Sequence, residues 1–216
     1  MKHCDKKAVS VNVTNRCNLR CTYCMASVGE EQENAYSIPI EFALAGIKDA
    51  LDGVPTGIKA EMLRFFAPGE PTQDMNVIRQ CVTAARELRP GLEVEIQTNG
   101  LFDSIDDANW LANNMNMVWI SLDGPAIVND RNRPDAFGRG RTFDIERNLK
   151  FLQERTKVGV RVTVTDDFID NQEVLVEHYH NLGVKYLVLN PVELNRYRGG
   201  PHTHRPLFIP PLPCCN

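Results

Sequence analysis

Three cysteines crowd into one short string, Arg16-Cys17-Asn18-Leu19-Arg20-Cys21-Thr22-Tyr23-Cys24, a Cx3Cx2C spacing that directly follows the first strand-like segment. Thiolates held this close bind metal, and iron–sulfur clusters take thiolates as their usual ligands. A [4Fe–4S] cube held by three protein ligands leaves its fourth iron open to bind and reduce something. Structural zinc is a competitor, but it asks for four closed ligands, usually in two paired motifs, and no second CxxC or HxxxH follows downstream. A ferredoxin-type site is the other alternative; it asks for a fourth thiolate, which Cys4 supplies if the N-terminus folds back.

The elements that must position this loop are legible as repeated βα units. Segments rich in β-branched residues recur at 8–14, 62–66, 92–97, 117–122, 158–165 and 185–190, separated by stretches with helical spacing. Ile40, Leu44, Ile47 and Leu51 share one helix face behind Ser37 and Pro39; Ile78, Cys81, Val82, Ala85 and Leu88 form a second stripe that Pro90-Gly91 stops. Ser104 with Asp107, and Asp170 with Glu173, stand at capping-box spacing before the third and fifth helices, and Ile145, Leu149 and Leu152 mark the fourth. Gly183 closes the fifth. Parallel strands need crossovers of helix length, so the class is α/β. Six such units curl most naturally into a partial (βα)6 barrel of TIM type, with its chemistry on loops after the strands' carboxyl ends.

A Cx3CxYC string after the first strand of such a barrel resembles the signature of the radical S-adenosylmethionine superfamily. That resemblance implies a [4Fe–4S] cluster on Cys17, Cys21 and Cys24, with the methionyl amine and carboxylate of S-adenosyl-L-methionine on the open iron. It also implies one-electron cleavage of the sulfonium to methionine and a hydrogen-abstracting 5′-deoxyadenosyl radical. An external electron donor of flavodoxin or ferredoxin type follows. Tyr23 resembles the family aromatic beside the adenine, and Phe65-Phe66-Ala67-Pro68-Gly69-Glu70-Pro71 resembles the GGEP motif, with Pro68 replacing the usual glycine. Backbone carbonyls of that turn, including that of Gly69, and the Glu70 carboxylate are acceptors suited to the methionyl ammonium. Proline keeps its carbonyl, so the acceptor role survives the replacement.

Further strings narrow the resemblance. Gln97-Thr98-Asn99-Gly100, then Ser121-Leu122-Asp123-Gly124-Pro125, then Arg131-Asn132-Arg133 are similar to peptide- and protein-modifying members such as the anaerobic sulfatase-maturating enzymes and peptide thioether synthases. Within that resemblance Ser121 and Arg133 match cofactor contacts: a hydroxyl binds ribose or carboxylate, and a guanidinium grips a carboxylate bidentately. Arg133 is preferred to Arg131 on motif register. Asp123 is read as part of an Asp-Gly-Pro turn and placed outside the site, as are Thr98 and Asn99. Asp166 and Asp167 are candidate substrate contacts by position alone, and are read in preference as a solvated loop. The implied activity is hydrogen abstraction from a peptide or protein side chain, for oxidation or thioether formation. The alternatives are a truncated cluster- or peptide-binding module without turnover, and an enzyme acting on a small metabolite.

The remaining features bound the reading. With 216 residues, a formal charge of -4 and mixed charges along the chain, nothing resembles a nucleic-acid footprint. No apolar run is long enough to span a bilayer and no signal peptide opens the chain, so no membrane partner and a cytoplasmic location are expected. Cys81 is expected in the core, while His178 and His180 cannot share a helix face. Residues 1–191 are expected to form the core domain. Residues 192–216, with His202, His204, Cys214 and Cys215, read as an irregular Pro-rich tail, truncated before the cysteine-rich SPASM or twitch domain that such relatives carry.

Overall fold

The computed structural model of the chain describes residues 6–24, 35–66 and 68–192. Six strands, β1 (Ala8–Val11), β2 (Met62–Phe65), β3 (Glu93–Thr98), β4 (Met117–Ser121), β5 (Val158–Val164) and β6 (Leu187–Pro191), pair in parallel in chain order. The crossovers contain helices α1 (Ile40–Asp52), α2 (Met75–Leu88), α3 (Ile105–Asn114), α4 (Ala126–Asn132), α5 (Thr142–Gln153), α6 (Asp166–Asp170) and α7 (Gln172–Asn181). β1 and β6 each keep one strand neighbour, so the sheet is an open α/β barrel, as the sequence pattern implied. Among the described residues no helix is long and apolar enough to cross a membrane.

Local chemistry sets the helix boundaries. Ile47 and Leu51 bury the apolar stripe of α1, and Gly53, at φ +85°, ends it. Asp74 caps α2 by accepting from the Val77 N–H at 3.3 Å, and Cys81 lies on the buried face with no exposed surface. Ser104 accepts from the Asp107 N–H at 3.1 Å and donates to its carboxylate at 2.8 Å, forming the expected cap.

The N-cap position expected at Asp170 falls on Asn171 instead. Asp170 closes the separate short helix α6, and α7 starts at Gln172 behind Asn171 with no side-chain cap bond. Phe168 packs into the core from α6, which fixes an extra turn where a solvated loop was expected. Helix α4 was likewise not anticipated; Pro125 opens it and it turns Val128, Asn129 and Asn132 inward. His178 meets Glu146 across α5 and α7 at 3.1 Å, and His180 is exposed.

Strand alternation divides the sheet into two faces. Leu63, Phe65, Val94, Ile96, Val118, Ile120, Val160 and Val162 are fully buried in the core, each contributing about 1.5–3 kcal/mol by removal from water. The opposite face carries Arg64, Glu95, Gln97, Trp119, Ser121, Arg161 and Thr163, and its upper rim opens on the cysteine loop. The sequence positions 193–216, including His202, His204, Cys214 and Cys215, lie outside the described residues, as does Cys4.

Candidate functional site

The cysteine loop leaves β1 and is held from two sides. Its middle runs antiparallel to the segment after α4: Leu19 bridges Asp135, the Arg20 N–H donates to Pro134 O at 2.7 Å, and the Thr22 N–H donates to Asn132 O at 2.9 Å. From the other side the Asn99 amide donates to the Asn18 side-chain oxygen at 2.6 Å, and Asn18 donates to Leu101 O at 3.3 Å. Leu19 is fully buried between these ties. Cys17, Cys21 and Cys24 thereby face one pocket of about 210 Å3, together with Tyr23, Gly69, Glu70, Ser121 and Arg133. Every site residue expected from the sequence lines it, with Gln97, Thr98, Asn99 and Thr163 beside them.

Cys17 and Cys21 stand in a poor environment for free thiolates. Burial pushes Cys17 up to about 12, with the Glu70 carboxylate adding to the rise, and burial pushes Cys21 up to about 11 against the pull of Arg133. A bound metal must displace these protons and supply the missing positive charge. The Leu19 N–H points at the Cys17 sulfur at 3.4 Å, and the Asn99 amide lies 4.0 Å from it.

Among the described residues no three His, Cys, Asp or Glu side chains converge on one point where a single ion would sit. Two buried polar atoms of the lining, Gln97 Oε1 and Arg133 Nε, have no hydrogen-bond partner among the described residues. Soft thiolates on one wall with unmet polar groups on the others fit a cluster and a polar ligand together.

Glu70 ties the pocket floor together. Its buried carboxylate accepts from the Thr72 N–H at 3.1 Å, the Thr72 hydroxyl at 2.8 Å, the Thr98 hydroxyl at 2.7 Å and the Asn99 N–H at 2.6 Å. Burial raises its pKa, and these donors pull it back. Its own N–H donates to Arg16 O at 2.7 Å, joining the turn after β2 to the cysteine loop. Gly69 makes this approach possible. At φ +113° it passes so close that an added Cβ would lie 2.3 Å from Thr14 O and 2.9 Å from Asn15 Cα.

The opposite wall is a buried chain of polar groups. Arg133 donates to the Tyr23 hydroxyl at 2.6 Å, and that hydroxyl donates to Asp123 Oδ2 at 2.6 Å. Asp123 Oδ1 accepts from the Thr163 N–H of β5 at 3.0 Å, and the Asp123 N–H donates to Asn129 of α4 at 2.9 Å. Burial raises Asp123 and Arg133 opposes it; burial also raises Tyr23. For Arg133 burial works downward, but Cys21, Tyr23 and Asp123 together hold the guanidinium firmly charged. Arg131 is exposed and does not line the pocket, whereas Arg133 is buried and does.

Three residues set outside the site by the sequence reading therefore belong to its framework. Thr98 and Asn99 anchor Glu70, and Asp123 anchors Tyr23. The available signal was a run of polar residues at the end of otherwise apolar strands, which turn chemistry explained equally well. Gln97 and Thr163 carried no signal beyond their place at a strand end.

A model of the Radical SAM superfamily matches residues 11–178. The chain is 36% identical over 166 residues to Fe-coproporphyrin III synthase of Methanosarcina barkeri, covering 74% of this chain and 38% of that one. It is 24% identical over 179 residues to a cysteine-type anaerobic sulfatase-maturating enzyme of Clostridium perfringens, covering 79% and 47%. The fold is shared with the solved structure of native anSMEcpe with bound AdoMet and Cp18Cys peptide, at TM-score 0.73 and 21% identity over 86% of this chain and 50% of that one. The chain thus spans about half the length of such relatives. Matched by the family over most of its length, with the cysteine loop and its pocket inside the match, the chain belongs to the radical S-adenosylmethionine superfamily, whose cofactors are a [4Fe–4S] cluster and S-adenosylmethionine.

Proposed function

We propose that Cys17, Cys21 and Cys24 hold the cluster and that the rest of the pocket holds S-adenosylmethionine for hydrogen abstraction from a peptide or protein side chain, leading to its oxidation or to thioether formation. The observation that carries this reading is the gathering of three thiols, the Gly69-Glu70 turn, Ser121 and Arg133 around one cavity. The bound pair supplies reductive cleavage of a sulfonium and hydrogen-atom abstraction. The protein's part is orientation. The turn at Gly69 presents backbone acceptors to the methionyl ammonium, and Glu70 holds that turn in place while lending negative charge. Arg133, fixed through Tyr23 by Asp123, offers its partnerless Nε edge to the methionyl carboxylate. Ser121, at the end of β4, serves the ribose, and Tyr23 flanks the adenine.

Peptide substrates are supported by the sulfatase-maturating relative and by the peptide bound in the anSMEcpe structure. A small metabolite is the second reading, favoured by the likeness to Fe-coproporphyrin III synthase. Residues 1–191 form the catalytic core in either reading, and an external flavodoxin or ferredoxin in the reducing cytoplasm supplies the electron. The test is anaerobic reconstitution with iron and sulfide followed by dithionite. Cluster absorbance and release of 5′-deoxyadenosine are expected, stimulated by peptide in the first reading and by metabolite in the second. A chain that forms no cluster refutes the proposal, and one that binds cluster and peptide but never cleaves the cofactor is a binding module instead.

A further inference from the structure

The face of the sheet that carries Gln97, Ser121 and Thr163 into the pocket continues downward as a charged floor. Register pairs Ser121 with Arg161 and Arg64 with Glu95, and side chains of paired residues in parallel strands point the same way. Arg161 therefore stands beside Ser121, one strand step below the pocket-lining Thr163. The indole of Trp119 leans over Gly159 on the same face: a Cβ at Gly159 would lie 2.3 Å from the ring.

The charges on this floor do not balance. Arg64 pairs with Glu95 at 3.2 Å, and Glu95 is buried. Arg161 is half-buried, its Nε is buried without a hydrogen-bond partner, and among the described residues no carboxylate reaches it within ion-pair distance. Of the two guanidinium groups on this face, Arg64 alone has a carboxylate at ion-pair distance among the described residues. Burial, reinforced by Arg64 and opposed by Glu95, works against the charge of Arg161. A half-buried guanidinium without its anion is costly, and a planar fork of N–H donors selects carboxylate or phosphate oxygens.

We propose that Arg161, with Arg64 behind it and Trp119 as its apolar wall, is a substrate subsite for an anionic group, a carboxylate or a phosphate. It sets which part of the substrate lies under the cofactor, and it rests on the proposed function only for that placement. The subsite is tested by isothermal titration of the full chain, reconstituted anaerobically, with inorganic phosphate, pyrophosphate and N-acetylglutamate amide as probes. Saturable binding of at least one probe is expected, and the stronger arm tells carboxylate from phosphate. Arg161→Gln weakens it by about tenfold or more, and Glu95→Gln, which removes the competing carboxylate, tightens it. Arg161→Lys, which retains the charge and loses the fork, falls between, and near-UV circular dichroism checks that each variant is folded. No saturable binding in the wild type, or equal binding by folded Arg161→Gln or Arg161→Lys, overturns the subsite. Because the readout needs no cofactor turnover, its failure leaves the proposed chemistry standing, and absent deoxyadenosine release leaves the subsite standing.

Discussion

Replacing Gly69 by alanine adds one methyl group at a place where the backbone leaves no room for it. The strain of a positive φ costs an alanine about 1–2 kcal/mol, and forcing a methyl into a packed site adds about 1–3 kcal/mol. Here the opposing atoms are backbone, Thr14 O at 2.3 Å and Asn15 Cα at 2.9 Å, so relief requires moving the start of the cysteine loop. Gly57 is the internal control. It sits at φ +73° with nothing within 4 Å of an added Cβ, so Gly57→Ala bears the conformational strain alone. Urea unfolding of the reconstituted proteins is expected to place Gly69→Ala below Gly57→Ala by about 1–3 kcal/mol. Titration with S-adenosylmethionine is expected to show an affinity loss of about tenfold or more for Gly69→Ala and none for Gly57→Ala. If the two variants agree within about 0.5 kcal/mol and bind the cofactor equally, the close approach at Gly69 does not position the loop.

Three further outcomes follow from the buried polar groups and the core thiol. Tyr23→Phe removes the hydroxyl shared by Arg133 and Asp123 and is expected to destabilise the chain by roughly 2–4 kcal/mol in urea unfolding; a loss below about 0.5 kcal/mol counts against the chain of contacts. Glu70→Ala strands four donors and is expected to prevent cluster loading, measured as iron per chain, while Glu70→Gln retains part of it; equal loading in both refutes the organising role. Burial raises Cys81 from 9.0 to about 11, so the stability of its protonated form is complete below pH 9 and is lost as pH rises through about 11. Between those limits the advantage of wild type over Cys81→Ala is expected to shrink by roughly 2 kcal/mol, and no alkylation of Cys81 is expected at pH 8 before unfolding; rapid native alkylation refutes its burial.

The six strands were legible because β-branched runs alternate with helical stripes, and the gathering of Cys17, Cys21 and Cys24 on one pocket was legible because their spacing is local. Helix α4 was hidden behind Pro125 and a string of Asn and Asp with weak helix propensity; its inward face is made by Val128, Asn129 and Asn132. Asp170 stands at capping-box spacing, but it closes the short helix from which Phe168 packs into the core, and α7 starts only at Gln172. Thr98, Asn99 and Asp123 look like turn residues because their partners, Glu70 and Tyr23, lie far away in the chain. The polar face that carries Arg161 was invisible for a related reason. Alternation gives the side of a strand, and only register across strands tells which charges stand together.

The antiparallel seam between the cysteine loop and residues 132–135 bears on how the protein is made. Its hydrogen bonds join Arg20 to Pro134 and Thr22 to Asn132, contacts whose partners emerge from the ribosome far apart in time. Loop closure over such a separation follows synthesis and collapse of the intervening units. The three cysteines are therefore among the last parts of the core to reach their final shape, and under the proposed function iron–sulfur delivery belongs after translation of α4, when the seam exists.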